Sequence, residues 1–463
     1  MKKLLCIALC LALLSGCAAP AAPTTEPRAN EVQITLSDSG IEFPADSGIE
    51  TTKEDIHTVV RITRPGTYRV SGSITAGQLA VDLGEDAAKD PNATVLLILD
   101  NAEIICRTGP AVLFRNVWES GVPNGLAGAH VLLAQGSKNR VVGVSTEEYD
   151  GAFYSRMSMK LDGAGSLRIE CGNEGLCSER HLTIDGGDIS ISSGNDGINA
   201  NADGESVITI NDGRLWIGVA GETGEGDGID SNGSVVINGG HIEAYACADS
   251  MDSGIDADLG IRINGGTVIA TGNMLDRIED GGQTHAVFSF AQQQKAPYFT
   301  LKDLYGSTVL EAQTPSAFTN LLFSSPDITE GTYTLWSGET QYEGVTSVGG
   351  CGFAQLQPID RPEFPGKGDD GRVEIPPQPT QPIVTHGTAQ PPAEGDRPAD
   401  LPVAQFPQDG AENMPVPELP EGATPPKDAF DRQPVEGITG VLSTEFTVKE
   451  GGNYFTNVRA VEK

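Results

Sequence analysis

The chain has 463 residues, with 64 Asp and Glu against 30 Lys and Arg, a formal net charge of −34. That length buries a core without disulfides, and that charge excludes nucleic acid and anionic membrane surfaces as partners, since both require clustered Lys and Arg. It favours cations, or polyanions bridged by cations. The 57 glycines, with frequent Asp and Asn, indicate many tight turns and argue against a helical bundle.

Lys2 and Lys3 precede an apolar run from Leu4 to Leu14, too short for a mature membrane span and therefore read as an export signal. The run ends in Leu14-Ser15-Gly16-Cys17, which resembles the lipobox of bacterial lipoproteins. The resemblance implies a signal peptide over residues 1–17 and acylation of Cys17. The protein would then be exported and lipid-anchored on the extracellular face of the cell membrane, without spanning it. Residues 18–30, rich in Ala, Pro and Thr, read as a flexible tether. Cys6 and Cys10 leave with the signal. Cys106, Cys171, Cys177, Cys247 and Cys351 are widely spaced and match neither a disulfide framework nor a zinc site, so they are expected to be buried small hydrophobes.

The next signal is an internal repeat. Turn signatures recur at Asp185-Gly186-Gly187, Asn211-Asp212-Gly213, Asn238-Gly239-Gly240 and Asn264-Gly265-Gly266, offset by 26, 27 and 26 residues. A short alternating strand follows each turn (Ile189/Ile191, Leu215/Ile217, Ile242/Ala244, Val268/Ala270) and another precedes it (Leu182/Ile184, Ile208/Ile210, Val235/Ile237, Ile261/Ile263). Between the two strands lies a third marker: Gly175-Leu176, Gly197-Ile198, Gly228-Ile229 and Gly254-Ile255. Alternation puts one apolar row inward, and no single repeat can bury that row alone, so the repeats must stack with strands ~4.8 Å apart. The expected fold is all-β, a parallel β-helix over residues 31–355. The segment 357–436 holds eighteen of the 29 prolines and reads as disordered and solvated. Residues 441–461 look strand-like again and are expected to pack back on the β-helix.

The third marker carries acidic chemistry. Its residues are Asn195-Asp196-Gly197-Ile198-Asn199, Asp227-Gly228-Ile229-Asp230 and Asp252-Ser253-Gly254-Ile255-Asp256. With the isoleucines inward, Asp196 stacks near Asp227 and Asp252, and Asn199 near Asp230 and Asp256. Carboxylates one repeat apart repel by about 3.5 kcal/mol at an effective dielectric near 20. No lysine lies between Lys160 and Lys295 to offset this. An oxygen-only donor set of irregular geometry suits Ca²⁺ better than Zn²⁺ or Mg²⁺, so Asp196, Asn199, Asp227, Asp230, Asp252 and Asp256 are the candidate metal ligands. Asp162, Asp185, Asn211, Asn238 and Asn264, each before Gly at a corner, read instead as a structural ladder.

On the outward side of the strand after each turn, Arg168, Ser190, Trp216, Glu243 and Ile269 form one row, and Glu170, Ser192, Gly218, Tyr245 and Thr271 the next. Trp216 and Tyr245 on adjacent repeats, with Glu243 and Arg214, are the candidate carbohydrate-binding residues, because a sugar ring has an apolar face and a polar rim.

These features resemble the clostridial carbohydrate-binding β-helix lipoproteins, whose relatives bind cellulose-like and pectin-like polysaccharides and hold calcium. The match includes Gly66-Thr67-Tyr68-Arg69-Val70-Ser71-Gly72, the Asp-Gly-Ile markers, Ser324-Ser325-Pro326-Asp327 and the closing Asn453-Tyr454-Phe455. One departure is Ser253, which stands where the marker's Asp would be, with Asp252 shifted by one. The resemblance implies a right-handed helix similar to pectate lyases, calcium on the acidic turns, and binding without catalysis. The expected protein is a surface-anchored polysaccharide binder with no catalytic residues. The alternatives are a calcium-dependent polysaccharide lyase, with Arg168 or Arg180 as base, and a structural spacer or adhesin. A polygalacturonase is disfavoured, since the sole Asp-Asp is Asp369-Asp370 in the Pro-rich segment.

Overall fold

The computed structural model describes residues 30–54, 57–221, 224–296, 298–347 and 441–461. The expected signal, Cys17, most of the tether, Cys351 and the Pro-rich segment lie outside the described residues. Among those described, the protein is all-β, with one short 3₁₀ turn at Ala87–Lys89.

Residues of the three sequence markers form three rows of parallel strands. In the first, Leu97 pairs with Val131, Val131 with Leu161, and Leu161 with Ile184; the row continues through Ile210 and Ile237 to Ile263. In the second, Ile104, Val141, Ile169, Ile191, Ile217, Ala244 and Ala270 pair in turn. In the third, Val60, Leu79, Val112, Phe153, Leu176, Ile198 and Ile229 do the same. These side chains are almost wholly buried and belong to one hydrophobic cluster. Each Ile or Leu so buried contributes roughly 1.5–3 kcal/mol, gained only when the repeats stack. Cys106, Cys171, Cys177 and Cys247 are buried free thiols.

The corners follow from the sequence. Asn211 Nδ2 donates to Asp185 Oδ1 (2.7 Å), Asn238 Nδ2 to Asn211 Oδ1 (2.8 Å) and Asn264 Nδ2 to Asn238 Oδ1 (2.8 Å), an amide ladder running repeat to repeat. Asp162 stands apart and accepts from its own neighbour, Gly163 N. Gly197 is required by space: a Cβ there would lie 2.1 Å from Ile217 Cγ2 and 2.6 Å from Gly228 O.

Beyond residue 272 the pattern changes. Phe318–Ser324 pairs antiparallel with both Thr267–Gly272 and His285–Gln294. Gly452–Ala460 lies parallel to His285–Gln294 and antiparallel to Thr340–Thr346. These strands enclose a second cluster, rich in Phe, whose members include Phe288, Phe290, Phe299, Phe318, Phe446 and Phe455.

Candidate functional site

The third row of strands forms an eight-stranded sheet of its own, and its outer face carries the acidic residues. Leu176, Ile198 and Ile229 point inward in register. Ahead of them Glu174, Asp196 and Asp227 stack in one column, since Gly175 N donates to Asp196 O and Gly197 N to Asp227 O, both at 3.0 Å. Residues one after the inward three, Cys177, Asn199 and Asp230, form another. The next repeat joins through a parallel bridge between Ile229 and Ile255, which aligns Ser253 with the first column and Asp256 with the second.

Asp227, Asp230 and Asp256 each place a carboxylate oxygen within 4.8 Å of the others. Asp196 and Asn199 are adjoining: Asp196 Oδ1 accepts from Asp227 N (2.8 Å), and Asn199 Nδ2 donates to Asp196 Oδ2 (3.2 Å). Asp227 Oδ1 repeats the pattern by accepting from Ser253 N at 2.6 Å. Asp252 falls one position off the column and is turned to other work. Its Oδ2 accepts from Gly226 N and from Ser250 Oγ.

Burial sets the electrostatics. Together with repulsion from neighbouring carboxylates, it raises Asp227 to about 9 and Asp230 to about 8. Asp196 and Asp256 rise to about 6, both by burial first; neighbouring carboxylates add to it in each, while in Asp196 the hydrogen bond from Asp227 N opposes the rise. Among the described residues no Lys, Arg or His pairs with these groups. Four carboxylates thus resist ionising together, and only bound protons or an added cation relieve them. The donor set fits a hard divalent cation: every side-chain donor is oxygen, and Asn199 Oδ1 is buried with no hydrogen-bond partner.

Glu174 was missed by the sequence reading. It is buried, its carboxyl is raised to about 7 by burial, and it accepts from Asn199 Nδ2 (3.0 Å) and Cys177 Sγ (2.8 Å). The signal was present: Glu174-Gly175-Leu176 occupies the marker position one repeat before Asp196-Gly197-Ile198.

The expected sugar platform requires correction. The register is as expected, with Ser190, Trp216, Glu243 and Ile269 in one outward row. Yet Trp216 is 8% exposed and Tyr245 fully buried, because the Phe-rich antiparallel strands pack over them. Glu243 is tied to Tyr245 Oη (2.7 Å) and His241 Nε2 (2.8 Å). Arg214 is exposed at the strand's start. The arginines considered as a lyase base are also engaged: Arg168 pairs with Glu170 at 2.7 Å and Arg180 with Glu205 at 3.4 Å.

Register and donor chemistry together define an all-β protein of stacked parallel strands with an oxygen-only acidic site on one sheet. The chain belongs to the family described as carbohydrate-binding domain-containing protein, whose model matches residues 57–295. A carbohydrate-binding domain-containing protein of Acetivibrio thermocellus is 25% identical over 141 residues, 28% of this chain and 44% of that protein. The chain therefore spans less than half the length of this curated relative. The solved structure of the polysaccharide lyase-like protein from C. thermocellum, a gadolinium derivative, aligns with a TM-score of 0.37 at 21% identity, over 51% of this chain and 83% of that one.

Proposed function

We propose that this chain is a surface-anchored, calcium-holding, non-catalytic polysaccharide binder for pectin-like or cellulose-like glycans, built on a right-handed parallel β-helix. The observation that carries the cation is the convergence of Asp227, Asp230 and Asp256 beside the unpartnered Asn199 carbonyl. Asp196 and Glu174 support that set from the adjoining column. Calcium would neutralise a carboxylate row that the fold desolvates, and so hold three repeats together. Family membership carries the polysaccharide, and the lipobox at Cys17 carries the anchor.

Binding is favoured over cleavage because a lyase needs a base to remove the proton α to a uronate carboxylate, and Arg168 and Arg180 are held by glutamates. The test is retention of the purified chain on polygalacturonate and on insoluble cellulose, in calcium and in chelator. Retention with no unsaturated ends supports the binder. Ultraviolet absorbance rising with time indicates the lyase, and retention on neither leaves a spacer.

A further inference from the structure

With Trp216 and Tyr245 covered, the carbohydrate-binding reading needs another surface, and the same eight-stranded sheet offers one. A cleft of about 570 Å³ opens over the outer face of His57–Ile62, Gly77–Asp82 and Val112–Asn116. Ligand sites generally occupy about 300–1,000 Å³, with an apolar floor and a few placed polar groups. Here Val59, Ala80 and Leu113 make the floor, each at most 5% exposed. We propose that this cleft receives a neutral, hydroxyl-rich segment of a glycan chain; the assignment rests on the polysaccharide-binding reading and names its contact surface and sugar class.

The lip is tied together by its own hydrogen bonds. Thr146 N donates to Tyr149 O (2.7 Å), and Tyr149 N donates to Thr146 Oγ1 (3.0 Å), closing a tight turn. Tyr149 Oη donates to Glu148 Oε1 (2.8 Å) and accepts from Arg115 Nε (3.1 Å), while its ring stands edge-on to Tyr154 at 5.2 Å. Such preorganisation lowers the ordering cost that binding must overcome.

The charges select the sugar class. Arg61 and Arg115 line the cleft with Asp82, Glu147 and Glu148, so cationic donors alternate with anionic acceptors. Among the described residues no carboxylate pairs with Arg61. A sugar hydroxyl donates and accepts at once and can satisfy both signs, with its ring C–H face on the apolar floor. A polyuronate would instead meet three carboxylates against two arginines. Leu113 and Asp230 are four paired strands apart, about 19 Å at ~4.8 Å per strand. Tyr154 and Cys177 between them are buried, so cleft and acidic cluster are separate sites.

The test is amide hydrogen exchange on the purified chain in calcium, with cellohexaose, mannohexaose, xylohexaose or hexagalacturonate. A neutral oligosaccharide is expected to slow exchange in residues 57–62, 77–82, 112–116 and 144–149. The variant Arg61→Ala is expected to bind it about tenfold or more weakly with an unchanged melting curve. Neutral-sugar binding with these amides unprotected, or undiminished in the variant, overturns the cleft alone. Binding of hexagalacturonate only overturns the sugar class. If none of these probes, nor polygalacturonate or cellulose, binds, the polysaccharide reading falls with it.

Discussion

Asp230→Asn gives the sharpest test of the acidic cluster, because its effect should reverse sign with calcium. Asn is sterically acceptable, since Asn199 already occupies the register-equivalent position one repeat earlier. The carboxylates of Asp227 and Asp256 lie within 4.8 Å. At an effective dielectric near 20, each pair of charges at that separation costs about 3.5 kcal/mol. Proton uptake limits the penalty. With Asp230 raised from 3.8 to about 8, keeping it protonated at pH 7 costs about 4 kcal/mol of folding free energy. The sign follows from the direction: a raised carboxyl gives its full stability below its unfolded value and loses it as pH climbs through the folded one. In chelator at pH 7, Asp230→Asn should therefore raise the melting temperature by several degrees. In calcium the variant lacks one of three convergent carboxylates, so calorimetry should find affinity down by about tenfold or more and thermal stabilisation by the ion reduced. A variant that is less stable in chelator and binds calcium as tightly as the parent would refute the reasoning.

The same linkage predicts that the chelated parent melts at a higher temperature at pH 5 than at pH 8, since Asp227 and Asp230 are raised to about 9 and 8, and that calcium flattens this dependence. Scanning calorimetry across that range checks it. Gly197→Ala forces a methyl to within 2.1 Å of Ile217 Cγ2 and 2.6 Å of a backbone carbonyl. It should cost about 3 kcal/mol or more, read by denaturant unfolding, and exceed the overpacking typical of a core methyl. Trp216→Ala should cost about 3–5 kcal/mol as a buried truncation and leave glycan retention intact at a temperature where the variant is folded. Lost retention by a fully folded variant would restore Trp216 to the sugar site.

The acidic cluster was legible wherever the repeat was strict. Asp227, Asp230 and Asp256 converge because Ile198, Ile229 and Ile255 fix the inward phase, and a one-residue slip would expose that apolar row. Where the repeat loosened, the reading loosened too. Ser253 takes the column position, and Asp252 turns to cap Gly226 N. Glu174 was overlooked because its marker lacks the Asp of its neighbours, although its place in the column is the same.

Sequence periodicity alone determined which side chains share a row, because strand alternation has a period of two and stacked repeats can bury their apolar face in one register only. It assigned Trp216 and Tyr245 correctly to the outward row, but outward from one core is not the same as exposed. Only the tertiary structure decided that Phe288, Phe290 and their neighbours, distant in sequence, fold over that face and make a second core. Local pattern records the direction of a side chain; what lies against it depends on long-range packing that no spacing encodes.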